Sequence, residues 1–192
     1  MIEPLLTSTA VVALAEIGDK TMLLAIVLAA RLRAPWAILA GIFVATIANH
    51  ALAALVGTEV AGLLEAQWFR IAVALGFIVM AAWTLVPDKL DDVDSAVRSH
   101  GSAFLTTVVS FFLVEMGDKT QVATIALAAH YQSVLVVAAG TTLGMMLANG
   151  PAVLLGEAIV KRVSLKATRT AAALLFLVLG LWQLGTALGW LA

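Results

Sequence analysis

The chain contains no cysteine and very little charge. The absence of cysteine excludes disulfides, thiolate metal sites and cysteine-based catalysis. Only 12% of the 192 residues are charged, about half the fraction found in a typical soluble domain. The net charge of −1 gives no support to a nucleic-acid partner. Hydrophobic residues make up 62% of the chain, which favours an all-α integral membrane protein that lies in a lipid bilayer.

The hydrophobic residues form six runs, each long enough to cross about 30 Å of hydrocarbon as a helix. The predicted transmembrane helices cover residues 4–30, 36–57, 68–86, 103–129, 133–156 and 170–191. Residues 87–102, between the third and fourth spans, form an acidic linker with four aspartates. We interpret this segment as a solvated linker, because it lacks the ligand spacing and the glycine of an EF-hand loop. A regulatory cation patch is the alternative.

The basic residues are distributed unevenly between the two sides of the predicted membrane. Eight follow spans one, three and five, whereas only Arg70 lies on the opposite side. The eight are Arg31, Arg33, Lys89, Arg98, Lys161, Arg162, Lys166 and Arg169. The positive-inside rule therefore predicts that loops one, three and five are cytoplasmic and that both termini are outside. The expected location is the inner or plasma membrane of the cell.

One six-residue motif occurs twice, as EIGDKT at 16–21 and as EMGDKT at 115–120, an offset of 99 residues. Two further pairs at this offset are glycines, Gly41 with Gly140 and Gly57 with Gly156. Residues 1–86 and 103–192 are thus predicted to be two copies of one three-helix unit. Because three spans is an odd number, the second copy must have inverted topology, which is typical of secondary transporters.

Both motifs lie inside hydrophobic runs, where each charged group costs about 2.5–3.5 kcal/mol. The six charged residues are Glu16, Asp19, Lys20, Glu115, Asp118 and Lys119. They must therefore face one another, a cavity or an ion. On a continuous helix, Glu16 and Asp19 would share one face, and Lys20 would pair with Glu16 four residues earlier. The lysines are predicted to be charge partners, and Gly18 and Gly117 are predicted helix breaks.

Four carboxylates and two lysines sum to −2, which one divalent cation or two protons would neutralise. This balance suggests cation/proton exchange. Oxygen ligands suit calcium, magnesium or manganese. The candidates for further ligands or gating residues are the polar side chains Thr21, Thr120, Asn49, Asn149, Gln121 and His50. Helix packing is an equal alternative for the threonines and asparagines, and a packing hydrogen bond is the favoured interpretation of His50.

The doubled E-x-G-D-[KR]-[ST] motif in a six-span chain resembles one family closely. This is the calcium/manganese–proton antiporter family, once filed as uncharacterised protein family 0016, which includes Golgi calcium/manganese transporters and bacterial MneA-type manganese exporters. The resemblance implies that Glu16, Asp19, Glu115 and Asp118 bind the cation. It also implies manganese export in exchange for protons, with calcium as the alternative cargo and no permanently bound cofactor.

Two other functions remain as alternatives. A passive divalent-cation channel could use the same acidic residues. A membrane enzyme or assembly factor is disfavoured, because no nucleophile–base constellation is evident in the sequence.

Overall fold

The computed structural model describes residues 2–86, 100–156 and 165–190, and its regular elements are helices. The predicted acidic linker, 87–102, therefore lies almost entirely outside the described residues. In chain order the α-helices are α1 (Ile2–Glu16), α2 (Lys20–Leu32), α3 (Pro35–Glu59), α4 (Gln67–Thr84), α5 (Ala103–Glu115), α6 (Lys119–Tyr131), α7 (Val134–Leu155) and α8 (Leu165–Ala187). A 3₁₀ helix, Ala61–Glu65, connects α3 to α4.

Four of these helices, α3, α4, α7 and α8, are long and apolar enough to cross a membrane. They correspond to the predicted spans 36–57, 68–86, 133–156 and 170–191. The last helix begins earlier than predicted, at Leu165, so that Lys166 and Arg169 lie in its first turns and not in a loop. The predicted class, an all-helical membrane-type protein, agrees with this architecture.

The other two predicted spans, 4–30 and 103–129, are each divided into two helices at the repeated motif. Gly18 and Gly117 have φ angles of 87° and 76°, which glycine adopts without steric cost and which end an α-helix. Asp19 and Asp118 follow in an extended conformation as the N-caps of α2 and α6. Each motif therefore consists of a helix end, a glycine turn and a new helix start.

The break between α1 and α2 lies deep in the protein. The backbone N–H of Asp19 donates to the carbonyl of Glu16 at 3.0 Å, which closes the turn. Most side chains of α2 are buried, including the continuous stretch from Thr21 to Ile26. Protein therefore surrounds the non-helical backbone of this break.

The two halves of the chain make the same close helix contact with their roles exchanged. The helix α1 packs along α7, α3 packs against α5, and α4 packs along α8. A Cβ atom on Gly140 of α7 would lie 2.9 Å from Ser8 Cβ of α1, and one on Gly41 of α3 would lie 2.7 Å from Thr107 Cβ of α5. Gly140 and Thr107 are the offset-99 equivalents of Gly41 and Ser8. Glycine at both crossings lets the helix backbones approach closely.

Candidate cation site at the two broken helices

The two motifs meet, and each lysine pairs with the aspartate of the other motif. Lys20 Nζ lies 2.9 Å from Asp118 Oδ1, and Lys119 Nζ forms an ion pair with Asp19 Oδ1. The predicted pairing of Lys20 with Glu16 is therefore wrong. It assumed a continuous helix, whereas α1 ends at Glu16, Gly18 takes a positive φ, and Lys20 begins a new helix.

Three of the four predicted carboxylates converge. Glu16, Asp19 and Asp118 each place a carboxylate oxygen so that the three oxygens lie within 4.8 Å of one another. These residues are 0%, 2% and 3% exposed. Oxygens at such separations can surround one small cation, because hard divalent ions bind oxygen ligands at about 2.0–2.6 Å.

The fourth carboxylate has a different environment. Glu115 is buried at the end of α5, and its Oε1 lies 3.9 Å from His50 Nε2. Neither ring nitrogen of His50 has a hydrogen-bond partner among the described residues. The favoured prediction of a packing hydrogen bond for His50 is thus wrong, and its nearest charged neighbour is Glu115.

The two motif threonines orient the two glutamates. Thr21 Oγ1 donates to Glu16 Oε2, and Thr120 Oγ1 donates to Glu115 Oε1. In the described part of the chain, the other glutamate oxygens, Glu16 Oε1 and Glu115 Oε2, have no hydrogen-bond partner. Each threonine therefore holds its glutamate and leaves one carboxylate oxygen available.

The two predicted asparagines are buried, with their amide nitrogens engaged. Asn49 Nδ2 donates to the carbonyl of Phe112 at 3.0 Å, and Asn149 Nδ2 donates to the carbonyl of Met145 at 3.1 Å. Their Oδ1 atoms have no hydrogen-bond partner within the described ranges. A buried carbonyl oxygen without a partner is costly unless something else contacts it.

Gln121 caps the second break. Its Oε1 accepts a hydrogen bond from the N–H of Gly117 at 2.8 Å. In the first motif the equivalent contact runs from the N–H of Gly18 to Met22 Sδ at 3.4 Å. The structure thus gives the Gln121 side chain a capping contact at the second break.

Sequence reasoning missed Arg169. Its Nη2 donates to the carbonyl of Gly18 at 3.0 Å, which ties α8 to the first break. Because Arg169 lies between predicted spans, the sequence indicates only that its positive charge favours a cytoplasmic loop. The offset of 99 residues that relates the motifs also relates Arg169 to Arg70, and this pairing could have singled it out.

The charge balance of the buried cluster constrains its chemistry. Burying a carboxylate costs several kcal/mol unless a nearby positive charge compensates for it. Lys20 and Lys119 compensate two of the four acids, so the fully ionised cluster retains a formal charge of −2. A divalent cation, or protons on two carboxyl groups, would make the cluster neutral.

Comparisons with known proteins show which family the whole chain resembles. A family model described as "Divalent cation/proton antiporter GDT1" matches residues 4–92 and 103–190. The "Putative manganese exporter" of Vibrio cholerae is 47% identical over 175 residues, which cover 91% of this chain and 86% of that protein. GDT1-like protein sll0615 of Synechocystis sp. is 29% identical over 185 residues, 86% of this chain and 88% of that protein.

A plant protein is also similar. GDT1-like protein 3 of Arabidopsis thaliana is 28% identical over 206 residues, 91% of this chain and 68% of that protein. No solved structure matches the chain.

Membrane-length apolar helices around a buried cluster of ionisable side chains are typical of an ion transporter. The chain belongs to the GDT1 family of divalent cation/proton antiporters. The family resemblance drawn from the doubled motif is thereby confirmed, and the family is one of transporters and not of enzymes.

Proposed function

We propose that this protein exports manganese across the membrane in exchange for protons, with calcium as the alternative cargo. The exchange chemistry follows that of the family. The choice of manganese follows the name of the relative from Vibrio cholerae. The oxygen donors around the motifs suit manganese, calcium and magnesium, all of which accept carboxylate and carbonyl ligands.

The observation that carries the proposal is the convergence of Glu16, Asp19 and Asp118 in the protein interior. Two oxygens of this group, Glu16 Oε1 and Asp118 Oδ2, have no hydrogen-bond partner among the described residues. Buried carboxylate oxygens without donors are unfavourable, and a bound cation would satisfy them. Glu115 completes the set of four carboxylates in the proposal, with Asn49 and Asn149 as further oxygen donors.

The requirement for a neutral site couples the movement of the cation to the movement of protons. A cluster of four carboxylates and two lysines is neutral with one divalent cation or with two protons. A site that is stable within the membrane only when neutral would release its cation as protons arrive, which is the basis of antiport.

We further propose that the chain has six spans arranged as two inverted three-helix repeats. In this arrangement α1 with α2, and α5 with α6, each cross the membrane as one broken span, and the site lies near the midplane. The exchanged contacts Gly140–Ser8 and Gly41–Thr107 support it. By the positive-inside rule, the termini lie outside the cell.

The proposal is tested by manganese transport in proteoliposomes with an imposed pH gradient. Wild-type protein should move manganese faster when the gradient drives protons in the opposite direction. Glu16→Gln and Asp118→Asn should each abolish this transport, since each removes a charged member of the cluster. Glu59→Gln is the matched control, because Glu59 is an exposed carboxylate at the end of α3.

Calcium and magnesium in parallel assays define the cargo. Full transport by both cluster variants would refute the site. Manganese flux that does not respond to the pH gradient would refute exchange and would indicate a passive channel.

A further inference from the structure

Arg70 and Arg169 occupy equivalent positions in the two halves, 99 residues apart, near the starts of α4 and α8. They make different contacts. Arg169 Nη2 donates to the carbonyl of Gly18 at the first helix break. Arg70 Nη2 donates to the carbonyl of Thr186, near the C-terminal end of α8, at 2.8 Å. The pair is therefore asymmetric in this structure.

The asymmetry coincides with a cavity. A cavity of about 450 Å³ lies at the end of the bundle where Arg70 is found. Its lining includes Thr7, Arg70, Phe77, Leu179 and Gln183. This is the end of the bundle that carries the N-terminus of α1 and the C-terminus of α8.

Four positions equivalent to cavity residues are buried in the other half of the chain. The offset of 99 residues relates the cavity residues Thr7, Phe77, Leu179 and Gln183 to Thr106, Phe176, Met80 and Thr84. None of these four equivalents is more than 3% exposed. Three of the four cavity residues, Thr7, Leu179 and Gln183, are by contrast partly exposed, whereas Phe77 is buried like its equivalent. The bundle thus has a cavity next to Arg70, whereas these four equivalent positions in the other half are buried.

We propose that Arg70 and Arg169 are positioning residues that alternate during transport, each in turn holding the backbone of one helix break. Arg169 holds the Gly18 carbonyl while the Arg70 end is open. In the exchanged state Arg70 holds the Gly117 carbonyl, Arg169 moves to the C-terminal end of α4, and the cavity appears at the Arg169 end. The inference rests on the proposed inverted repeat, because the exchanged state gives each arginine the contact that the equivalent arginine makes in this structure.

The physical reason lies in the helix breaks. A glycine turn frees backbone carbonyls that a continuous helix would use internally. A guanidinium is always charged and donates strong hydrogen bonds to such oxygens. Each arginine can therefore fix one broken helix next to the carboxylates, or release it and bind the end of the neighbouring long helix. Two arrangements of similar energy are what a two-state transporter requires.

The absence of cysteine allows a direct test with single-cysteine reporters. Gln183→Cys reports on the cavity, and Thr84→Cys reports on the equivalent buried position in the other half. The purified protein is reacted with a water-soluble maleimide. In an otherwise unchanged chain, Gln183→Cys should react faster than Thr84→Cys.

Adding Arg169→Gln should reverse this order. We expect the Thr84→Cys rate to rise and the Gln183→Cys rate to fall, so that their ratio changes about tenfold, the factor expected for the loss of one charge-assisted hydrogen bond. Arg169→Lys keeps a charged donor and should restore most of the original ratio. Adding Arg70→Gln to Arg169→Gln should also move the ratio back, because it removes the contact that favours the exchanged state.

The two reporters separate a positioning role from a merely structural one. If Arg169→Gln raised the reactivity of Thr84→Cys while Gln183→Cys stayed unchanged, the effect would be local loosening and the proposal would be overturned. Unchanged reactivity at both positions would overturn it as well. The labelling requires no metal, so a protein that fails to move manganese but shows the reversal would refute the proposed cargo and leave the exchange of arginines intact.

Discussion

Lys20 Nζ lies 2.9 Å from Asp118 Oδ1, so the lysine that begins the second helix of one broken pair is neutralised by the N-cap aspartate of the other pair. The reciprocal pair of Lys119 with Asp19 completes a crossed arrangement. Neither motif is compensated by its own lysine in these two contacts. The two halves of the chain must therefore assemble before either buried motif is stable.

The two ion pairs should differ in their contribution to stability. Lys119 is 4% exposed, whereas Lys20 is 27% exposed. Lys119→Met should lower the free energy of unfolding by about 3–5 kcal/mol, because it removes the cation from a buried pair. Lys20→Met should cost at most about half as much, since solvent around the partly exposed Lys20 ammonium already weakens the ion pair that this substitution removes. Unfolding in detergent measures both, and equal losses would contradict the expected role of solvent.

The four carboxylates should not contribute equally to metal affinity. Glu16 belongs to the cluster of three convergent oxygens, whereas Glu115 lies beside His50. Glu16→Gln should raise the manganese Kd at least about tenfold, a loss of about 1.4 kcal/mol. Glu115→Gln should raise it less. Calorimetric titration of the purified protein measures both constants, and a larger effect at Glu115 would show that the favoured cation-bound state has a different carboxylate arrangement.

Substitution of Gly117, the glycine of the second break, should destabilise the protein because of its backbone conformation and not because of steric contacts. A Cβ atom on Gly117 would meet nothing within 4 Å, yet its φ of 76° disfavours any side chain. Gly117→Ala should therefore destabilise the protein by about 1–2 kcal/mol and slow transport.

Gly150→Ala is the matched control for this substitution. Its Cβ would also meet nothing, and Gly150 lies within α7 at an ordinary φ. Alanine should be neutral there or stabilising by about 0.5–1 kcal/mol. Equal effects at the two glycines would mean that the turn at Gly117 is not required for stability.

The long apolar helices could be predicted from sequence because length and hydropathy alone determine them. The runs 36–57 and 133–156 correspond to α3 and α7 within two residues at each end. The composition also indicated that the few charges inside the runs must converge. These inferences depend on the cost of placing charge in hydrocarbon, which does not require knowledge of tertiary contacts.

The pairing inside the site could not be predicted in the same way. Once Gly18 takes a positive φ, the direction of α2 depends on what packs around it, and helical spacing no longer relates Lys20 to Glu16. The contact of Arg169 with Gly18 was hidden for a different reason. A basic residue near a span end satisfies the positive-inside rule, and that interpretation left no reason to seek a further role.

The crossing of α1 and α7 gives the last prediction. A Cβ atom on Gly140 would lie 2.7 Å from the carbonyl oxygen of Leu5 and 2.9 Å from Ser8 Cβ. Real Cβ atoms do not approach backbone so closely, so Gly140→Ala must push the two helices apart. Overpacking of this kind costs about 1–3 kcal/mol. Because α1 ends at Glu16, the same displacement should weaken manganese binding.

Gly76→Ala separates overpacking from the general effect of alanine in a helix. Gly76 lies within α4, and its Cβ would meet nothing within 4 Å. This variant should keep wild-type stability and wild-type manganese affinity, measured by thermal unfolding and calorimetry on the same preparations. If Gly140→Ala behaved like Gly76→Ala in both measurements, the close approach of α1 and α7 would not be what positions Glu16. A loss of affinity at Gly140 alone would connect the packing of this crossing to the carboxylate that ends α1.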